Sequence, residues 1–280
     1  MTAQSKPDEH LGETMLVRLV PPYQLTLGME FLKCSSGRSI SRMKANRRLA
    51  ETLGSPNLDR LALMGFIDQG LSQSLKGLIA AEIGISTFDL RVGLSSGTSM
   101  GHELTLTAEA VMIGKASATV TGNVTNASKD IVGTAAGLFR LGSFPGGAPA
   151  DHNLVGDFNP QAMPGPMSTS LGLSGAPDSP QIAAGNQAIL GWESGNIVHG
   201  GAVAAALMSA CQGRVAGGES SMDQKLESID IRYLRPAIGS RDLFTHSYFE
   251  REGKAASFVR ATCFHESEKP LATATATFVR

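Results

Sequence analysis

One short stretch of this chain, His199-Gly200-Gly201, has residue types suited to chemistry at a main-chain surface. It precedes an apolar run of small side chains, 202–210, that reads as a buried helix. A helix start exposes N–H groups that lack partners and carry partial positive charge, so it can meet a developing negative charge. Taken alone, the tripeptide is equally a tight helix start with His199 as a polar cap. Asp68 is the second residue of interest, because Asp has poor propensity inside a helix and is costly to bury unpaired. Gly65, Asp68, Ser72 and Lys76 recur at helical spacing, however, so a solvated stripe would also account for it. No phosphate-binding glycine loop, dinucleotide fingerprint, HExxH or GxSxG elbow occurs. Cys34, Cys211 and Cys263 form no CxxC pair, which disfavours a zinc site and a disulfide framework alike. His246 and His265 lie on predicted strands without partner spacing and read as surface or satisfied structural residues.

The elements that would position these groups need a sizeable core. At 42% hydrophobic and 18% charged, the 280 residues can build one and are not disordered. A formal net charge of −1, with the signs interspersed, offers no general surface for nucleic acid or an anionic membrane. The polar N-terminus has no apolar secretion region, and no run of about 18 apolar residues occurs. A soluble cytoplasmic protein is the expectation.

The chain repeats itself at a spacing of about 140 residues. In the first half, strand-like segments with two-residue alternation fall at 87–94, 102–113, 115–126 and 130–141. Their counterparts fall at 228–234, 242–250, 254–266 and 270–280. Gly114-Lys115-Ala116 maps onto Gly253-Lys254-Ala255, Lys129 onto Lys269, Arg140 onto Arg280 and Asn46 onto Asn186. Each block follows one helical candidate, 57–79 or 199–215, the first started by Ser55-Pro56. A hairpin-like stretch, 28–49 or 169–192, precedes each helix. The expected architecture is α+β, a duplicated unit in which one antiparallel sheet wraps one helix. Its bounds are 14–142 and 168–280, joined by a Gly/Pro-rich linker at 143–167.

The second half resembles the hotdog acyl-CoA thioesterases, particularly the phenylacetate-pathway type. The resemblance rests on Asn196-Ile197-Val198-His199-Gly200-Gly201 through Leu207, on Ile231-Arg232-Tyr233-Leu234-Arg235-Pro236-Ala237, and on the terminal run Ala272 to Arg280. It implies two tandem hotdog domains. It also implies an oxyanion hole in which the Gly200 N–H donates, Gly201 permits close approach, and His199 shapes the loop.

That family places a carboxylate nine residues after the motif histidine, and here that position is Met208, which is expected in the core or acyl pocket. The residue 140 positions earlier is Asp68, while the same step takes His199 to Asp59. In paired hotdogs each site joins one unit's helix start to the other's helix acid. A single composite site is therefore expected between the halves, with Asp68 as general base or nucleophile facing Gly200. Thr87 is a candidate for orienting the water, and Gln69 and Asn196 for polar contacts with substrate. Relatives often carry an amide six residues before the histidine, where this chain has Glu193.

The expected activity is acyl-CoA thioester hydrolysis, needing no metal or other cofactor, with coenzyme A entering only as part of the substrate. A homodimer of double-hotdog units is the expected assembly. A non-catalytic acyl-CoA-binding protein is the alternative from another class. Gly156-Asp157-Phe158-Asn159-Pro160 resembles a segment of hotdog enoyl-CoA hydratases but lacks the histidine that follows there, and reads as linker. Lys44, Arg47 and Arg48 form a small basic cluster, a solvated face unless it meets the phosphates of coenzyme A.

Overall fold

A computed structural model describes residues 21–80, 83–95, 98–142, 165–192, 196–219, 221, 223–266 and 269–280. The first half runs α1 (Pro22–Leu27), β1 (Glu30–Ser35), β2 (Arg38–Lys44), α2 (Arg60–Lys76), β3 (Gly84–Leu94), β4 (Glu103–Ile113), β5 (Ser117–Asn126) and β6 (Ile131–Gly142). The second repeats that order as α3 (Met167–Leu171), β7 (Leu173–Ala176), β8 (Ser179–Ile182), α4 (Gly200–Ala216), β11 (Lys225–Tyr233), β12 (Leu243–Arg251), β13 (Ala256–Phe264) and β14 (Ala272–Val279). It adds a small ribbon, β9 (Leu190–Trp192) with β10 (Ile197–Val198), just ahead of α4.

Twelve strands form one antiparallel sheet in the order β1-β2-β4-β5-β6-β3-β11-β14-β13-β12-β8-β7, which reads as the same six-strand order from either edge. The halves meet where β3 pairs with β11, with Leu90 opposite Ile231 on a local two-fold axis. Asp89-Leu90-Arg91 and Asp230-Ile231-Arg232 face each other there. Arg232 reaches Asp89 at 2.9 Å, and Arg91 reaches Asp230 at 3.2 Å. Reciprocal contacts of this kind are the signature of a two-fold interface. The charged groups are 40–74% exposed, so each pair contributes at most about 1 kcal/mol and the buried Leu90 and Ile231 hold the register.

Both long helices lie inside the sheet and against each other, and are buried on almost every face. Alternation along the strands supplies the surrounding wall. In β14, for instance, Ala272, Ala274, Ala276 and Phe278 point inward. The ends of the halves interlock as well. Thr26 on α1 donates to the Ala188 carbonyl at 2.9 Å, and Ser170 on α3 donates to the Arg48 carbonyl at 3.1 Å. Asn46 and Asn186 keep their matched roles, each accepting from the backbone N–H two residues on, at Arg48 and Ala188.

The structure departs from expectation in several places. Helix α2 starts at Arg60 instead of 57, because Asp59 and not Ser55-Pro56 caps it, accepting from Leu61 N at 2.8 Å. Ser55 instead closes a turn with Asn57 N–H. Residues 143–164, with the Gly156–Pro160 turn, lie outside the described residues, as does Glu193. Met167, assigned to the linker, begins α3 and is fully buried, bonded to the Ala50 carbonyl. Arg48 is only 8% exposed, so it does not belong to a solvated basic face, and Lys44 lies 3.9 Å from Glu103. His265 is a satisfied structural residue, accepting from Ile238 N and bonded to the Asp242 carbonyl.

Candidate active site

Helices α2 and α4 cross so closely that glycine is needed at the contact. A Cβ on Gly201 would overlap Gly65 and stand 3.2 Å from the Met64 carbonyl oxygen. This crossing brings the start of α4 to the middle of α2, and with it Asp68 to the HGG turn. Asp68 Oδ2 lies 3.4 Å from His199 Nδ1, and 2.8 Å from where a Cβ on Gly200 would be. Thr87 donates to the other carboxylate oxygen at 2.7 Å. A register shift in β3 between Thr87 and Asp89 re-aims the strand at that point. Thus Asp68, Thr87, His199, Gly200 and Gly201 come together, from two halves of the chain.

Each helix cap is built the same way but with different chemistry. His199 caps α4 by accepting the Gly201 N–H on Nδ1 at 3.0 Å, as Asp59 accepts the Leu61 N–H on α2. Because Nδ1 accepts there, the ring proton sits on Nε2, which donates to Gln69 Oε1 at 2.8 Å. Gln69 Nε2 in turn donates to Gln24 at 3.1 Å. Burial holds the His199 pKa below its usual range, against the pull of the Asp68 charge, so the contact between His199 and Asp68 is not an ion pair near neutral pH. With Gly201 engaged, the Gly200 N–H is the donor left free of acceptors among the described residues.

One sequence candidate is placed differently from expectation. Gln69 is turned to His199 and Gln24, with both ends of its amide engaged, so it steadies the imidazole and is not a free substrate contact. Met208 is fully buried on α4, as expected of a core position, eight residues beyond Gly200 and so roughly 12 Å along the axis. Asn196 adopts a left-handed backbone at φ 48°, and its carbonyl accepts from Gly239 N, which fixes the turn into β10.

Three residues escaped sequence reasoning. Tyr233 on β11 donates to the Gly200 carbonyl at 3.0 Å, fixing that peptide, and burial with the Asp68 charge keeps its phenol protonated. It stands inside the YLRPA segment, so its position was visible though its direction was not. Gln24 and Tyr23 come from the short helix α1, which packs beside β9 and α2. A hollow of about 360 Å³ over β4–β6 is lined by Thr107, Glu109, Thr121 and Asn123, and its one carboxylate, Glu109, is paired with Arg38 at 2.8 Å.

The neutral, buried His199 has a pH consequence. Its folded pKa lies below the unfolded value of about 6.5, so its contribution to stability is present above that pH and is lost as pH falls. Asp59 works in the opposite sense: burial pushes its pKa up to about 6, so its contribution grows as pH falls below that value. The unfolding midpoint is therefore expected to drop from about pH 7 to 6 and to flatten below, with a shallower drop in His199→Gln. An identical slope in that variant would show that His199 is not the titrating group.

Known proteins resemble the chain in fold, and its second half also in sequence pattern. Residues 189–279, holding α4 and the last four strands, match the family model of the acyl-CoA thioesterase N-terminal domain. No curated protein matches the chain by sequence. Among solved structures, the tesB protein of Mycobacterium avium subs paratuberculosis superposes with a TM-score of 0.59 at 11% identity, covering 93% of this chain and 98% of that one. The acyl-CoA thioesterase II TesB2 of Mycobacterium marinum gives 0.53 at 12% identity, covering 91% and 94%. A 12:0-ACP thioesterase from Umbellularia californica gives 0.55 at 12%, covering 85% and 93%. The chain has the double-hotdog fold of these thioesterases, and its second half carries the acyl-CoA thioesterase domain pattern.

Proposed function

We propose that the chain is an acyl-CoA thioester hydrolase with one composite site, releasing a free acid and coenzyme A. The observation that carries this reading is the placement of the first half's Asp68 against the helix start of the second half, 3.4 Å from His199. The thioester carbonyl lies at the Gly200 N–H, whose positive end of the helix dipole stabilises the tetrahedral oxyanion. Gly200 has no side chain between that carbonyl and Asp68 Oδ2. Asp68 takes the proton of an attacking water, or attacks directly to give an anhydride that water then opens. Thr87 holds the second carboxylate oxygen in place, and Tyr233 and His199 lock the HGG backbone from either side. Collapse expels the thiolate, which takes up the proton.

The test is thiol release from a panel of acyl-CoA esters of graded chain length. Steady hydrolysis is expected; tight binding without turnover would favour a non-catalytic acyl-CoA-binding protein instead. An acyl-carrier-protein thioester is the competing substrate and belongs in the same panel. Single turnover in ¹⁸O-water tests the anhydride route, because label enters the carboxylate only where water opens an anhydride at the Asp68 carbonyl. Among the described residues, no helix is long and apolar enough to cross a membrane, and no group of three His, Cys, Asp or Glu could hold a metal ion. We propose a cytoplasmic setting and a homodimer of double-hotdog units. Light scattering on the purified chain is expected to give twice the 29.3 kDa chain mass, and a monomer would refute that assembly.

A further inference from the structure

Tyr23 is the site's one neighbour whose chemistry is not yet used. It lies on α1 at 0% exposure, and its hydroxyl has no hydrogen-bond partner among the described residues. Its ring sits against His199, with centroids 5.0 Å apart and planes tilted by 48°. Space for it is cut into α2: a Cβ on Gly65 would stand 2.5 Å from the ring and 2.7 Å from the hydroxyl oxygen. Gly65 comes three residues before Asp68, so the hydroxyl lies over the same helix face as the carboxylate.

A buried hydroxyl without a partner costs stability that phenylalanine would not. The ring alone would fill the space beside His199, and the oxygen makes no contact of its own among the described residues. Burial and the Asp68 charge both keep the phenol protonated, which makes it a donor in want of an acceptor. Of the acceptors nearby, Asp68 Oδ1 takes Thr87, His199 Nδ1 takes Gly201 and the Gly200 carbonyl takes Tyr233, while Asp68 Oδ2 does not bond the Tyr23 hydroxyl. An oxygen arriving with the substrate would supply the acceptor.

We propose that the Tyr23 hydroxyl is a further catalytic residue, donating to the carbonyl oxygen of the bound thioester as a second donor beside the Gly200 N–H. This rests on the thioesterase reading. It makes the oxyanion hole another composite of the two halves, one donor from each.

Tyr23→Phe keeps the ring and removes only the donor. Its kcat for acyl-CoA hydrolysis is expected to fall about a hundredfold, with KM within a few-fold and an unfolding temperature equal or higher. The second measurement is the infrared carbonyl band of a bound ¹³C-ketone analogue of acyl-CoA, in which CH2 replaces the thioester sulfur. Loss of the hydrogen bond is expected to move that band to higher wavenumber in the variant. Hydrolysis by the parent with an unmoved band in the variant would overturn the role of Tyr23 and leave the enzyme reading intact. A moved band without hydrolysis by any form would do the reverse. A lower unfolding temperature in Tyr23→Phe would reveal a partner in the free protein and also overturn it.

Discussion

Asp68→Asn is expected to lower kcat for thioester hydrolysis by about a thousandfold or more while the protein stays folded. The substitution is nearly isosteric and can still accept from Thr87, which donates to Oδ1 at 2.7 Å. What it loses is basicity and nucleophilicity at Oδ2, the oxygen facing Gly200. At 4% exposure Asp68 has no solvated neighbour able to replace it, and its counterpart in the other half is Met208. KM should move little, since the substitution keeps the size of the side chain and its bond from Thr87. Steady-state kinetics with matched circular dichroism checks this. A variant retaining more than about a tenth of parental kcat would end the composite-site reading.

Gly201→Ala is expected to damage stability and activity together. The added carbon would overlap the Gly65 backbone and press on the Met64 carbonyl, and neither can rotate away as a side chain would. The helices must separate, at a cost of about 3 kcal/mol, or roughly 5–10 °C in unfolding temperature for a protein of this size. Separation also draws the start of α4 away from Asp68, so kcat should fall well beyond what partial unfolding explains. Calorimetry and kinetics together test both halves of the statement. Melting within about a degree of the parent would mean that the crossing is looser than these distances imply.

The fold was largely legible because duplication made each half a control for the other. The 140-residue offset located Asp68 from the position of Met208, and it paired Asn46 with Asn186 before either turn was seen. Strand alternation gave the wall, since one face of each strand is buried by the helices. Legibility failed where a contact crosses between halves through a short element. The six residues of α1 carry no usable period, so nothing marked Tyr23 and Gln24 as neighbours of His199. Helix α2 was begun too early because Ser55-Pro56 and Asp59 both offer start signals, and only packing chooses between them. Gln69 was misread for a related reason. A polar residue one place after an acid says nothing about whether its amide is spent inside the protein, as it is here.

The pairing of β3 with β11 has a bearing on how the protein behaves on dilution. Where two separate subunits share a site, thinning the solution dissolves the site along with the dimer, and specific activity drifts with concentration. Here both contributors to the site belong to one polypeptide, and the seam between them is an intramolecular contact with a fixed effective concentration. The pairing of Asp68 with the HGG turn is therefore present once per chain, whatever the dilution. Once a partner can no longer drift away or be exchanged, a second HGG–Asp pair is no longer needed to guarantee a working combination, and the positions of Asp59 and Met208 are free to serve the cap of α2 and the core.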